Sequence, residues 1–190
     1  MTKHFEPHQH TLRKSVSCCG VGLHSGRTVN LTIKPAEVDN GIRFIRTDLP
    51  GSAYLNAHMD KVVDTRLATT IGTGEFNIST TEHLLAAIRS NGIDNVNIEL
   101  DSAEVQIMDG SAEPLIKLLK SAGKLKQNGK KKILRITKPI RYEDGDCRIS
   151  VTPYNGFRIT GEISFDDTLI RTQKFTIELD QDKFTREIAR

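Results

Sequence analysis

The chain has 190 residues and a mass of 21.2 kDa, enough to bury one large core or two small ones. With 37% apolar and 27% charged residues, a mean hydropathy of −0.37 and a net charge of +3, it is neither a disordered acidic tail nor a polybasic nucleic-acid arm. No run approaches the ~18 apolar residues of a spanning helix, and three cysteines without a CxxC spacing point to neither a disulfide framework nor a thiolate zinc site. The expectation is a soluble, cytosolic protein.

Residues 1–10 are polar and read as a loose arm without the pattern of a secretory signal. Strand character begins at Leu12; Val29, Leu31 and Ile33 alternate with Asn30, Thr32 and Lys34, the period of a strand with one buried face. Pro35 ends that strand, and Asp39-Asn40-Gly41 turns the chain into Ile42, Phe44 and Ile45. Residues 50–75 read as short strands and loops. Ser79-Thr80-Thr81-Glu82 then fits a capping box, in which a hydroxyl and a carboxylate three residues apart satisfy each other's backbone amides. The helix it opens carries Leu84, Leu85, Ala87 and Ile88 and stops at Asn91-Gly92. Val96, Ile98 and Leu100 form another strand. A second helix has Ser111 as its cap, Pro114 in its first turn, Leu115, Ile116, Leu118 and Leu119 as its apolar face, and Gly123 as its stop. Residues 124–132 (KLKQNGKKK) read as a solvated linker; no aromatic residue is interleaved, so nucleic-acid binding is not expected.

After the linker the pattern restarts. Leu134, Ile136, a Gly145 turn, the alternating Cys147, Ile149 and Val151, Pro153 and the Asn155-Gly156 turn into Phe157 and Ile159 follow the order of features seen between Leu12 and Phe44. The reading is a duplicated α+β architecture, two units each of a sheet with two helices. The first covers 11–123. The second, 133–190, stops inside its own first helix, with Asp180 as cap and Phe184 and Ile188 on one face.

Glu82-His83 is the pair most suited to chemistry. It sits in the first turn of a helix, where an imidazole can bind a metal and a carboxylate can take a proton from water. The bland alternative leaves Glu82 as the capping acid and His83 as a helix-face residue, and spacing alone favours that alternative. His4, His8 and His10 fall in the polar arm and are expected to be solvated; His58 lies in a loop with no evident partner. His24 lies on a glycine-rich turn, GVGLHSG at 20–26, which lacks the GK[ST] ending of a phosphate loop.

Taken together, GVGLHSG (20–26), Arg46-Thr47-Asp48, STTEHL (79–84), GIDN (92–95), IMDGSA (107–112) and PYNGF (153–157) resemble the UDP-3-O-acyl-N-acetylglucosamine deacetylases, from about Thr11 to Arg190. The resemblance implies a cytoplasmic, zinc-dependent hydrolase of Gram-negative bacteria that removes the N-acetyl group of UDP-3-O-acyl-N-acetylglucosamine in the committed step of lipid A biosynthesis. It implies two stacked α+β domains with the site between them, a monomer at full length, and at most peripheral contact with the inner membrane. By the same resemblance His83 is a zinc ligand, Glu82 the general base, and Leu67 and Ala68 belong to a substrate-lining loop, although the family more often has cysteine where Ala68 stands. It places the other two zinc ligands, the oxyanion-steadying threonine, the acid that protonates the leaving amine and the acyl-chain insert after Arg190. The alternative for this chain by itself is a catalytically inactive truncated fragment.

Overall fold

The computed structural model describes residues 6–167 and 169–190. Its first strand, β1 (His8–Leu12), corrects the expected arm: Gln9, His10 and Thr11 are buried, and of that arm residues 1–5, His4 among them, lie outside the described residues. Next come β2 (Val16–Val21), β3 (Thr28–Pro35), β4 (Ile42–Arg46) and β5 (Tyr54–Asn56). Three short strands, β6 (Val62–Asp64), β7 (Thr70–Gly72) and β8 (Asn77–Ile78), precede α1 (Glu82–Ser90), β9 (Val96–Leu100), α2 (Glu113–Ala122) and β10 (Lys124–Lys130).

Strand β9 organises the main sheet, whose order is β2-β3-β9-β4-β5. It pairs antiparallel with β3 (Ile33 opposite Ile98) and parallel with β4 (Phe44 opposite Ile98). A parallel pair needs a crossover, and here the crossover is residues 47–95, which carry the small β6-β7-β8 sheet and α1. Alternation then decides the faces. Val29, Leu31, Ile33, Phe44, Val96, Ile98 and Leu100 are all at most 1% exposed. They meet Leu84, Ala87 and Ile88 of α1 and Leu115, Ile116 and Leu119 of α2 in one core. The result is an α+β layer of sheet against two helices. Gly123 ends α2 at φ +70°, a conformation that favours glycine.

The expected 124–132 linker is largely strand β10, paired antiparallel with β1. Its anchor is a buried amide rather than an apolar pattern. Asn95 Oδ1 accepts the Gly41 N–H at 2.8 Å, and its Nδ2 donates to Gln9 Oε1 at 2.7 Å and to Gln127 Oε1 at 2.8 Å. Lys124 Nζ donates to the Asn91 carbonyl at the C-terminus of α1, Lys131 Nζ lies 3.0 Å from Asp94 and Lys126 Nζ 3.5 Å from Glu6, so three of the linker's lysines have specific structural partners.

Beyond residue 139 come β11 (Ile140–Asp144), β12 (Cys147–Val151), β13 (Arg158–Ser164) and β14 (Thr172–Glu178). They form two separate antiparallel hairpins, and among the described residues no third strand joins them as β9 joins β3 to β4. Tyr142, Ile149, Phe157 and Ile163 are consequently more than 60% exposed. No strand forms at Leu134 or Ile136. The last helix begins as expected, with Asp180 Oδ1 accepting the Lys183 N–H at 2.8 Å. A short α3 (Gln181–Lys183) then widens into a π-turn over Phe184–Ile188. With Ala189 N–H bonded to Phe184 O, the five-residue step buries Ala189 instead of the expected Ile188, which stays 40% exposed. No helix among the described residues is long and apolar enough to cross a membrane.

Replacing Asn95 by alanine removes the acceptor of the Gly41 amide, the Asn95 donor to Gln127 Oε1 and one of the two donors to Gln9 Oε1, which keeps the Asp39 N–H. We expect about 2–3 kcal/mol lower stability in urea unfolding, with amide protection in β1 lost first; an unchanged midpoint contradicts this role.

Candidate functional site

The capping box does not form. Helix α1 begins at Glu82, its cap residue Thr81 makes no side-chain capping bond, and Ser79 lies outside the helix. The reason is tertiary. Ser79 N–H donates to Ala103 O at 2.9 Å and Val105 N–H donates back to Ser79 O at 3.1 Å, so Ser79 is bridged to the segment after β9. Thr81 turns the other way: its hydroxyl and its N–H both donate to Thr69 O, at 3.0 and 3.3 Å. Between these two anchors Thr80 is held at φ +57°, a conformation that costs a β-branched residue about 1–2 kcal/mol.

This arrangement frees Glu82 from capping. Its Oε2 accepts the Thr69 N–H at 3.0 Å, and the half-buried side chain sits in the first turn of α1 beside His83, also half-buried. A carboxylate at a helix N-terminus is favoured by the helix dipole. Leu84, Ala87 and Ile88 fix the helix on its buried face, so Glu82 and His83 project from a rigid element.

The loop containing Leu67 and Ala68 lies against the same helix start through Thr69. Leu67 is 91% exposed at φ +64°, whereas Ala68 is buried. Of the two, only Leu67 presents its side chain to solvent. Nearby, Arg66 donates through Nε and Nη2 to both carboxylate oxygens of Asp64, and this pair holds Asp64 well below the usual carboxylate range.

A cleft of about 770 Å³ opens beside the segment leading into α1. Arg46, Asp48, Asp64, Thr70, Ser79, His24 and Glu104 are among its walls, while Glu82 and His83 are not. Arg46 is buried and makes a two-pronged pair with Asp48 at 2.7 and 2.6 Å, which lowers the Asp48 pKa, and it also donates to Asn77 O. Glu104, 3% exposed, accepts the N–H groups of His24 (2.9 Å) and Ser25 (2.8 Å) and the Thr80 hydroxyl (3.3 Å). Burial alone would raise its pKa, but these donors outweigh burial and leave it lowered and ionised.

The remaining histidines differ from expectation in two cases. His10 is buried, its Nδ1 without a hydrogen bond and 3.9 Å from Asp94, because β1 is part of the core. Its pKa is lowered by burial and by the neighbouring Lys124 and Lys131. His58 has a partner after all, its Nδ1 lying 3.2 Å from Asp60. His8 pairs with Glu6 at 3.1 Å, and His24 is exposed on its turn. Glu104, Thr69 and Thr80 were not legible as site residues, because their partners lie 12 to 80 positions away in the chain. A catalytic zinc takes about three protein ligands. Among the described residues no group of three His, Cys, Asp or Glu side chains could hold a metal ion. One imidazole can offer a single donor, so the described residues around His83 do not by themselves make a zinc site.

Residues 9–190 match the family model of UDP-3-O-acyl N-acetylglycosamine deacetylase. The chain belongs to this family. It is 42% identical over 184 residues to a UDP-3-O-acyl-N-acetylglucosamine deacetylase of Acidithiobacillus ferrooxidans, covering 96% of this chain and 60% of that protein. Relatives of the same name from Syntrophotalea carbinolica and Myxococcus xanthus are 44% and 46% identical over 182 residues, covering 96% of this chain and 59% and 58% of theirs. The chain thus spans about three-fifths of the length of the curated relatives it matches.

Glu104 carries a pH signature. A group with a depressed folded pKa contributes stability above its unfolded value and loses it as the pH falls through the folded one. Amide protection of His24 and Ser25 is therefore expected to survive acidification through 4.5, the ordinary glutamate value, and to disappear only below it. Loss of protection already above that value contradicts an ionised clasp.

Proposed function

We propose that the protein to which this chain belongs hydrolyses the N-acetyl group of UDP-3-O-acyl-N-acetylglucosamine, the reaction named for its relatives, and so serves lipid A biosynthesis. The observation that carries the reading is the Glu82-His83 pair, with Glu82 released from capping and held by the Thr69 amide in the first turn of α1. Water adds to the acetamide carbonyl, the C–N bond breaks, and acetate and a free amine leave. Glu82 accepts the proton of the attacking water. Zinc is the metal proposed, with His83 as one ligand and the others supplied by the part of the protein that follows Arg190; the leaving-group acid and the oxyanion donor are assigned to that part as well. Leu67 and Ala68 are proposed to border the substrate through their loop, and the cytoplasm is the proposed compartment. We read 11–123 as the first domain, extended at its two ends by the β1–β10 pair to His8 and Lys130, and 133–190 as the beginning of a second, duplicated one.

A second reading is that the 190-residue chain alone is inactive, which the exposed apolar faces of both hairpins favour. The two readings are compatible, since one concerns the whole protein and the other this segment.

In the full-length protein, Glu82→Gln is expected to keep its metal and lower turnover ~10²–10⁴-fold, whereas His83→Ala is expected to lose the metal. Acetate release and metal content, measured together on each variant, decide the matter. Full turnover in Glu82→Gln removes Glu82 from the role of base.

A further inference from the structure

We propose that Glu104 is a positioning residue, whose carboxylate ties the GVGLHSG turn to the segment leading into α1 and so sets where Glu82 and His83 stand. The inference rests on the reading of that pair given above. Three observations carry it.

The first is the donor set. One carboxylate oxygen of Glu104 takes the His24 amide and the Thr80 hydroxyl, and the other takes the Ser25 amide. Thus one buried anion joins two segments more than fifty residues apart in sequence. The second is the backbone. Glu104 is bridged to Ser79, and Thr80 between Ser79 and Thr81 is held at φ +57°. A strained β-branched residue persists only where its surroundings over-determine it, and the Glu104 carboxylate supplies one of those constraints directly. The third is Gly22. A Cβ at that position would lie 2.4 Å from both Glu104 Oε2 and Ser25 Oγ, closer than real Cβ contacts, so the glycine of the motif leaves the space that the carboxylate and the Ser25 hydroxyl fill together. The motif's glycine and histidine therefore act around Glu104 as well as around the turn itself.

The test uses the full-length protein with three variants: Glu104→Gln, Gly22→Ala and the double variant. Glutamine has one oxygen where three donors converge, so the turn and the α1 lead-in shift against each other. Misplacement of about 1 Å costs about 10²-fold in rate, and kcat is expected to fall by that order, with KM within about twofold and metal content unchanged. Gly22→Ala, which pushes the same carboxylate out of place, is expected to reproduce the loss, and the double variant to lose little more than either single one. Losses that multiply overturn the proposal, because the two residues then act separately. A fall in kcat that tracks loss of folded protein in the thermal melt also overturns it, by reducing Glu104 to a stabilising group.

Amide exchange separates this proposal from the assigned activity. In Glu104→Gln, protection is expected to fall together in residues 22–26 and 80–84, whether or not the enzyme turns over the expected substrate. If the wild-type protein releases no acetate, the functional reading fails while coupled exchange still supports the joint. If exchange changes only in 22–26, the joint itself is refuted.

Discussion

Everything near the candidate site depends on how residues 79–81 are held before α1 begins. Ser79 is bridged to Ala103 and Val105, Thr80 donates to Glu104, and Thr81 donates to Thr69 O. The helix start is therefore positioned by the segment following the central strand on one side and by the 64–69 loop on the other. Its own capping chemistry contributes nothing at Ser79. Satisfying these backbone groups through tertiary partners leaves the Glu82 carboxylate with one amide partner, Thr69, and room for other work.

The same logic reaches back to the sheet. Strand β9 lies between β3 and β4, and the parallel pairing with β4 forces the intervening chain to cross over the sheet. That crossover brings the 64–72 loop and the start of α1 to one end of the sheet. At the opposite end of α1, Asn95 binds Gln9, Gly41 and Gln127, and Lys124 meets the Asn91 carbonyl. Apolar burial sets which face of α1 points inward, and the polar networks at its two ends fix its position. Beyond residue 139 the equivalent of β9 is missing among the described residues, and the two hairpins leave their apolar side chains in solvent.

The α+β class, the β3 and β9 alternation, both main helices, the Gly123 stop and the Gly145 turn could be read from the sequence because each depends on neighbours within a few residues. Strand β1 could not. Its residues Gln9, His10 and Thr11 are polar, and they are buried because Asn95, Asp94 and Ala36 supply partners 25 to 86 positions away. The lysine-rich β10 was concealed in the same way, its composition suggesting solvent while Asn95 and β1 gave it a place in the fold. At the site, Glu82-His83 was legible as a pair but the capping box was a false lead, since a local pattern was overridden by long-range bonds at Ser79 and Thr81. Glu104 offered no local signal at all; its meaning lies in a glycine 82 positions earlier, whose side-chain space it shares with the Ser25 hydroxyl.

The most direct test of this account is a crystal structure of the full-length protein grown with zinc, with anomalous data collected at the zinc edge. The account predicts a peak at about 2.0–2.1 Å from a ring nitrogen of His83, with the Glu82 carboxylate facing it and still bonded to the Thr69 amide. A metal bound away from His83, or a Glu82 side chain turned back to cap the helix at Ser79, would contradict it.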